Sequence, residues 1–209
     1  MAVRRAERRQ AVSDHKRALI LEAAREVFAA EGLEGASLRA IATRAGYTPA
    51  ALYFHFDSKE TIYAEVLHGS LAALGQAVDE AVAKAREPEA RLRAAAMAFF
   101  RFYAENPRDL DLGFYLFRGG MKPKGLGRER DESLNDSLGT ALRPIADAAE
   151  AMGSPRTEAD LLMVDTFAHA TGLLLLLHTG RIRMFGASAA ERMEAYVDGL
   201  IDRLQRGTR

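Results

Sequence analysis

Between Ser37 and Glu60 the helical pattern of this chain is cut twice within a few residues, and that punctuation limits what the segment can become. Ser37 stands where an N-cap belongs, ahead of a short apolar face of Leu38, Ile41, Ala42 and Ala45. Gly46 ends that helix. Thr48 and Pro49 then supply the next N-cap and a first helical residue whose missing N–H is needed by no one. The following helix is short, and Asp57 or Ser58 caps the one after it, which has Ile62, Val66 and Leu67 among its apolar positions. Two short helices crossing steeply require a small residue where they touch and a permissive residue in the turn. Ala42 and Gly46, four apart, occupy those places, which is the pattern of a helix-turn-helix.

The same period runs through the rest of the chain. Ile20, Ala24, Val27 and Phe28 fall on one face of a first helix that stops near Gly32, and the fold class expected is all-α. At 209 residues, 48% apolar and 28% charged, the chain suffices for one large domain or two small ones. It has no cysteine, which removes thiolate nucleophiles, zinc–thiolate sites and disulfides together and makes a reducing, cytoplasmic setting the expectation. The N-terminus is followed by no apolar stretch of the kind an export signal needs, and the leucine run 173–177 is far short of the roughly 18 apolar residues of a membrane span. No membrane role is expected. The net charge is zero, yet residues 1–17 hold six basic side chains (Arg4, Arg5, Arg8, Arg9, Lys16 and Arg17) against Glu7 and Asp14, a local balance of +4. Residues 1–15 are read as a flexible basic arm, suited either to phosphate backbones or to simple solvation.

In the punctuated segment, Thr48, Pro49 and Ala50 are small enough to approach base edges in a major groove, while Tyr53, His55 and Lys59 carry groups that reach phosphate oxygens. Taken singly, each has a plainer reading. Tyr53, Phe54 and Phe56 are equally at home in a core, His55 as a structural histidine, and Lys59 on a solvated face.

Together the residues from Lys16 to about Leu67 resemble the DNA-binding domain of the TetR family of one-component transcriptional regulators. The resemblance rests on the first helix ending in FAAEG, the SLRAIATRAG second helix, the YTPAALYFHF recognition helix and the SKE opening of the fourth. The family's signature stands as Leu52, Tyr53, His55, Phe56, Ser58, Lys59 and Glu60. It implies an N-terminal three-helix helix-turn-helix domain at residues 16–60, followed by a larger helical effector-binding and dimerisation domain at residues 61–209. It implies a ligand-responsive repressor, homodimeric on a palindromic operator of double-stranded DNA. Ser37 and Arg39 would touch the DNA backbone, Thr48, Pro49 and Ala50 would face bases, and Tyr53, His55 and Lys59 would hold phosphates. Pro49 and Ala50 offer no hydrogen bond, so thymine-methyl contact and groove shape are expected to contribute much of the specificity. As a phosphate contact, Lys59 would carry about one unit of the salt slope.

The remaining two thirds are helical and less diagnostic. Pro88 precedes a helix over Glu89–Glu105 that Pro107 stops, a shorter one follows through LDLGFYLF, and the glycine-rich residues 118–131 read as a connection, either gating ligand entry or idle. Ser154 and Pro155 start a helix to Gly180, and Ser188 with Glu191 forms a capping box for the last, ending near Gln205. The first of this pair is apolar around almost its whole circumference, so a partner subunit is its simplest cover, and the family precedent is an interface made by the last two helices of each chain. Large apolar and aromatic residues lie between, each a fair core residue. The resemblance implies that some line an effector cavity: Phe100, Tyr103, Phe114, Phe117, Met163, Phe167 and His169, with Thr171 a second polar group, for a hydrophobic or aromatic small molecule. Motifs for nucleotides, zinc proteases or serine hydrolases are absent from the sequence, and Asp165 with His169 lacks a third ligand, so no enzyme, metal or cofactor is expected. The competing class is a structural DNA-binding protein, or a protein-interaction module, of the same fold that senses nothing.

Overall fold

The computed structural model describes residues 2–113 and 125–207. Every regular element among them is helical: α1 (Ala2–Gly35), α2 (Leu38–Arg44), α3 (Pro49–Tyr53), α4 (Lys59–Ala83), α5 (Pro88–Glu105), α6 (Pro107–Gly113), α7 (Arg128–Ala151), α8 (Arg156–His178), a short 3-10 helix (Arg181–Phe185) and α9 (Ala189–Gly207). Contacts divide the chain into two compact units, Met1–Gly69 with Leu110–Leu134, and Ser70–Asp109 with Asn135–Arg209. The dividing point in α4 is thus Gly69, nine residues beyond the sequence-based limit at 60, because the start of α4 supplies core side chains to the first unit.

In that unit Ile20, Ala24 and Phe28 of α1 meet Ile41 and Ala42 of α2, Leu52 of α3, and Ile62 and Tyr63 of α4 as fully buried residues. Burial of each large side chain here contributes about 1.5–3 kcal/mol. The Tyr63 ring lies edge-on to Phe28, with centroids 4.8 Å apart, and its hydroxyl donates to the Leu112 carbonyl at 2.8 Å. Gly32 (φ 71, ψ 176) breaks α1 where the sequence suggested, a backbone conformation that a side chain resists. Residues 2–15 depart from the expected arm, for they continue α1 as helix. Their Ala, Arg, Glu and Gln residues are strong helix formers, and extending an anchored helix avoids the nucleation cost. Gln10 bonds Asp14 one turn on, at 2.8 Å.

The second unit packs α5, α8 and α9 with the later parts of α4 and α7. Leu92, Ala96, Phe99 and Phe100 of α5, Leu174 of α8, and Met193 and Val197 of α9 are buried. Arg143 of α7 joins Asp147 at 2.7 Å, Asp160 of α8 at 2.5 Å, and Glu150, so one guanidinium pins the α7–α8 corner. Pro88 and Pro107 each occupy the first helical position, so Pro107 starts α6 as well as following α5. Residues 128–131, expected in a connection, form the first turn of α7, where Glu129 and Asp131 suit a helix N-terminus.

Alone among the described helices, α8 has the length and hydropathy of a membrane span, with a mean of 1.5 over 18 residues. Its buried residues, Ala159, Leu162, Thr166, Ala170, Leu173 and Leu174, form one face within the second unit. The opposite face leaves Leu161 (65%), Val164 (54%) and Leu175 (59%) exposed, with the carboxylate of Asp165 among them.

Candidate functional site

The helix-turn-helix is built by side chains bonding to nearby backbone. Ser37 Oγ accepts from the Ala40 N–H at 3.1 Å and opens α2. At its end the Tyr47 N–H reaches the Ala42 carbonyl at 2.9 Å and the Gly46 N–H reaches Thr43 at 3.2 Å, a Schellman closure that Gly46 permits with φ 74. Thr48 Oγ1 then accepts from the Ala51 N–H at 3.2 Å, and Pro49 takes the first helical position of α3. Ser58 Oγ repeats the device for α4 by accepting from Thr61 N at 3.1 Å, so Ser58 rather than Asp57 is the cap. Asp57 instead accepts from the Thr61 hydroxyl, and that bond holds its carboxyl below the usual range.

Leu52 and Phe56, one turn apart, anchor α3 in the core. The rest of the helix therefore faces water: Thr48, Pro49 and Ala50 are exposed, Tyr53 is 60% exposed and Phe54 90%. Among the three aromatics grouped as core alternatives, only Phe56 is core. Phe54 was missed as a surface candidate, although the Leu52–Phe56 phase already turns it outward.

The cations near this face are mostly engaged. Arg17 of α1 donates from Nη1 to the His55 carbonyl at 3.1 Å, pairs with Glu65 of α4, and lies 4.4 Å from the Phe56 ring centroid. It thereby ties the end of α3 to α1 and α4. Arg44 pairs with Glu26, while Arg39 is exposed. Lys59 departs from its expected phosphate role. Its Nζ donates to the carbonyls of Leu33, Glu34 and Ala36 at 2.8, 3.2 and 3.2 Å. An ammonium has three hydrogens, and all three serve the turn that delivers the chain to Ser37. His55 is half-buried, and only its main chain makes these bonds.

Of the residues expected around an effector, Phe100 and Tyr103 are buried on α5, Met163 and Phe167 are half-buried on α8, and Phe114 and Phe117 lie outside the described residues. Phe99, which the sequence reading passed over, stands at their centre. Its ring centroid is 5.1 Å from Tyr103 and 5.7 Å from Phe167, both edge-on. Burial, aided by the nearby Asp109 carboxylate, pushes the Tyr103 phenol above its ordinary range. His178 Nε2 donates to the Tyr103 carbonyl at 2.9 Å and fixes α8 against α5. His169 leaves this group. It turns to α9, where its ring stacks on Tyr196 with centroids 4.0 Å apart. Burial lowers its pKa against an opposing hydrogen bond that the ring donates to the Arg192 backbone. Among the described residues no three His, Asp or Glu side chains gather as metal ligands.

Residues 20–66 match the family model for bacterial regulatory proteins of the tetR family. The transcriptional activator FasR of Mycolicibacterium smegmatis is 38% identical over 101 residues, 48% of this chain and 46% of that protein. The transcriptional repressor NicS of Pseudomonas putida is 30% identical over 144 residues, 68% of this chain and 66% of that protein. The chain thus spans about half to two thirds of these relatives. In fold it is similar to the transcriptional regulator FadR of Bacillus subtilis, solved with stearoyl-CoA, at a TM-score of 0.68 and 16% identity, covering 88% of this chain and 96% of that one. With the capped short helices, the outward face of α3 and the helical second unit, these likenesses assign the chain to the tetR family of bacterial transcriptional regulators.

Proposed function

We propose that this chain is a cytoplasmic, sequence-specific DNA-binding regulator, a homodimeric repressor on a palindromic operator that a small apolar molecule releases. The observation that carries this reading is the outward face of α3. A five-residue helix presents Thr48, Pro49, Ala50, Tyr53 and Phe54 to solvent, although two of them are large aromatics with every hydrophobic reason to be covered. A major groove covers such a face, with Ala50 close to thymine methyl groups and the Tyr53 hydroxyl at phosphate. Ser37, Arg39 and His55 flank it, and Arg39 supplies exposed charge. The basic residues at the start of α1 add sequence-independent attraction.

A second copy of the chain is the cover for α8. Leu161 borders a cleft of about 440 Å³ formed with Tyr196 and Leu200 of α9, and Val164 and Leu175 lie on the same exposed face of α8. Lipid is the poorer occupant, because the Asp165 carboxylate on that face would cost about 2.5–3.5 kcal/mol at a bilayer centre. In each copy α4 runs through both units, so ligand-induced movement of its later part reaches the reading head along one helix. An apolar effector is consistent with the aromatic side chains of α5 and α8 and with the acyl ligand in the FadR structure.

Capture of sheared genomic DNA on the purified protein at moderate salt tests the reading. Enrichment of a few fragments sharing a palindrome is expected. Uniform retention that vanishes as salt rises would overturn it and favour a structural DNA-binding protein.

A further inference from the structure

For a helix offered to base edges, α3 carries the wrong groups to read hydrogen-bond patterns. From Thr48 to Phe54 the sequence is TPAALYF, without a carboxylate, amide, guanidinium or ammonium. Those are the groups that distinguish bases in a major groove, arginine on guanine and asparagine or glutamine on adenine above all. Two hydroxyls remain. That of Thr48 accepts from the Ala51 N–H at 3.2 Å and so turns toward the helix it caps, which leaves Tyr53 with the outward-facing one.

What the helix presents instead is apolar surface. Leu52 and Phe56 point into the core, so Ala50 takes the outermost position, with Tyr53 and Phe54 about 100° apart on either side of it. Phe54 keeps helical backbone angles (φ −70, ψ −20) as the last residue of the turn. The residue after it is held as well, because Arg17 donates to the His55 carbonyl at 3.1 Å while pairing with Glu65. The Phe54 ring, 90% exposed, is therefore carried on a braced backbone. An apolar ring fixed in water is unfavourable until something apolar covers it. In a major groove that group is found at the C5 position of pyrimidines, where thymine bears a methyl and unmodified cytosine a hydrogen.

Resting on the reading of α3 as the helix that enters DNA, we propose that Phe54 is a specificity-determining residue whose ring, beside the Ala50 methyl, packs on a pyrimidine C5-methyl group in each half-site. What is recognised is the methyl, not the base pair that bears it. 5-Methylcytosine places the same methyl at the same point of the groove and serves in place of thymine. The ligand class is duplex DNA with a C5-methylated pyrimidine at that step, and methylation of a cytosine there converts a weak site into a strong one.

The test starts with selection from a random-sequence duplex library by the purified full chain. Each thymine of the shared motif is then replaced in turn by uracil, which removes the methyl alone, and binding is read by fluorescence anisotropy for the unchanged chain and for Phe54→Ala. At one position uracil is expected to weaken binding by the unchanged chain about fourfold, and about fifteenfold when present in both half-sites. Phe54→Ala is expected to bind the thymine and uracil duplexes alike. At that position a C·G pair weakens binding by the unchanged chain, and 5-methylcytosine paired with guanine restores it to within about twofold of thymine. Because the ring is bare in the free chain, Phe54→Ala is expected to leave Tm within about 1 °C, so the comparison is made on folded protein. Uracil tolerated at every position, a uracil penalty that survives Phe54→Ala, or a 5-methylcytosine duplex as weak as the cytosine one would each overturn the proposal and leave a sequence-specific regulator standing. Equal weakening of Phe54→Ala on selected and unselected duplexes would overturn it too, by placing the ring on the sugar-phosphate backbone. A selection that yields no shared motif removes the regulator reading and this proposal with it.

Discussion

The segment from Ser37 to Glu60 and helix α8 solve the same problem by opposite means. In the first, helices of seven and five residues are too short to hold themselves by burial, so side chains do it: Ser37, Thr48 and Ser58 cap, Gly46 closes, Arg17 braces from α1 and Lys59 reaches back to the turn before Ser37. In α8, 23 residues hold through apolar contact, and a single unpaired hydroxyl stands out because polar groups are so scarce. Function follows the division. On the proposed reading, the surface offered to DNA is set by directional bonds, and the surface offered to a second copy or an apolar ligand is set by shape.

The largest expected effect comes from breaking the α8 side. Introducing Leu161→Glu with Val164→Glu places two charges in a face that a partner must dehydrate, and sedimentation is expected to show monomers where the unchanged chain sediments as dimers at micromolar concentration. Dimers that survive the change would leave that face without its proposed occupant. On the other side, Lys59→Met strips three carbonyls of their donor. A stability loss of about 2–3 kcal/mol is expected, with DNA affinity falling alike for all sequences and the salt slope unchanged. A slope reduced by about one would return Lys59 to phosphate. Gly46→Val forces a branched side chain into a left-handed conformation and is expected to cost about 1–3 kcal/mol in thermal melts, with no loss from the same change at Gly75, whose φ is ordinary and where valine is the better helix former by a few tenths of a kcal/mol. The smallest effect belongs to His169. The folded chain resists its protonation more than the unfolded chain does, so its contribution is whole above about pH 6.5 and is lost as pH falls below that. His169→Phe should flatten the decline of Tm between about pH 6.5 and 5; an unchanged decline would place its origin elsewhere.

The two regions also differed in how much could be read in advance. The caps of α2 and α3 had residue types and spacings that pointed to one conformation, so Ser37, Gly46 and Thr48–Pro49 were legible in the sequence, whereas Asp57 and Ser58 offered equal claims to the cap of α4. What escaped there was long-range. That Lys59 reaches back to Leu33, or that Arg17 lies by Phe56, depends on contacts 26 and 39 positions apart, the latter counted from 17 to 56, which no local pattern encodes. In α8 the helix itself was legible, but not the allocation of its faces. An all-round apolar pattern carries no phase, so His169 was grouped with Phe167 when the two turn to different helices. Phe99 was overlooked for the same reason, among three other aromatics within five residues of α5. Residues 2–15 misled by charge, since a basic composition that suits an arm suits a solvated helix equally well.

Phe54 has a consequence for handling the protein. Its ring, 90% exposed, stays in water whenever the head is off DNA. A side chain that large and that bare is adhesive, and in concentrated stocks it invites one head to stick to another. The free protein is therefore expected to be most soluble in the presence of short duplexes that mask the ring, and crystals grown without them to bury Phe54 against a neighbour.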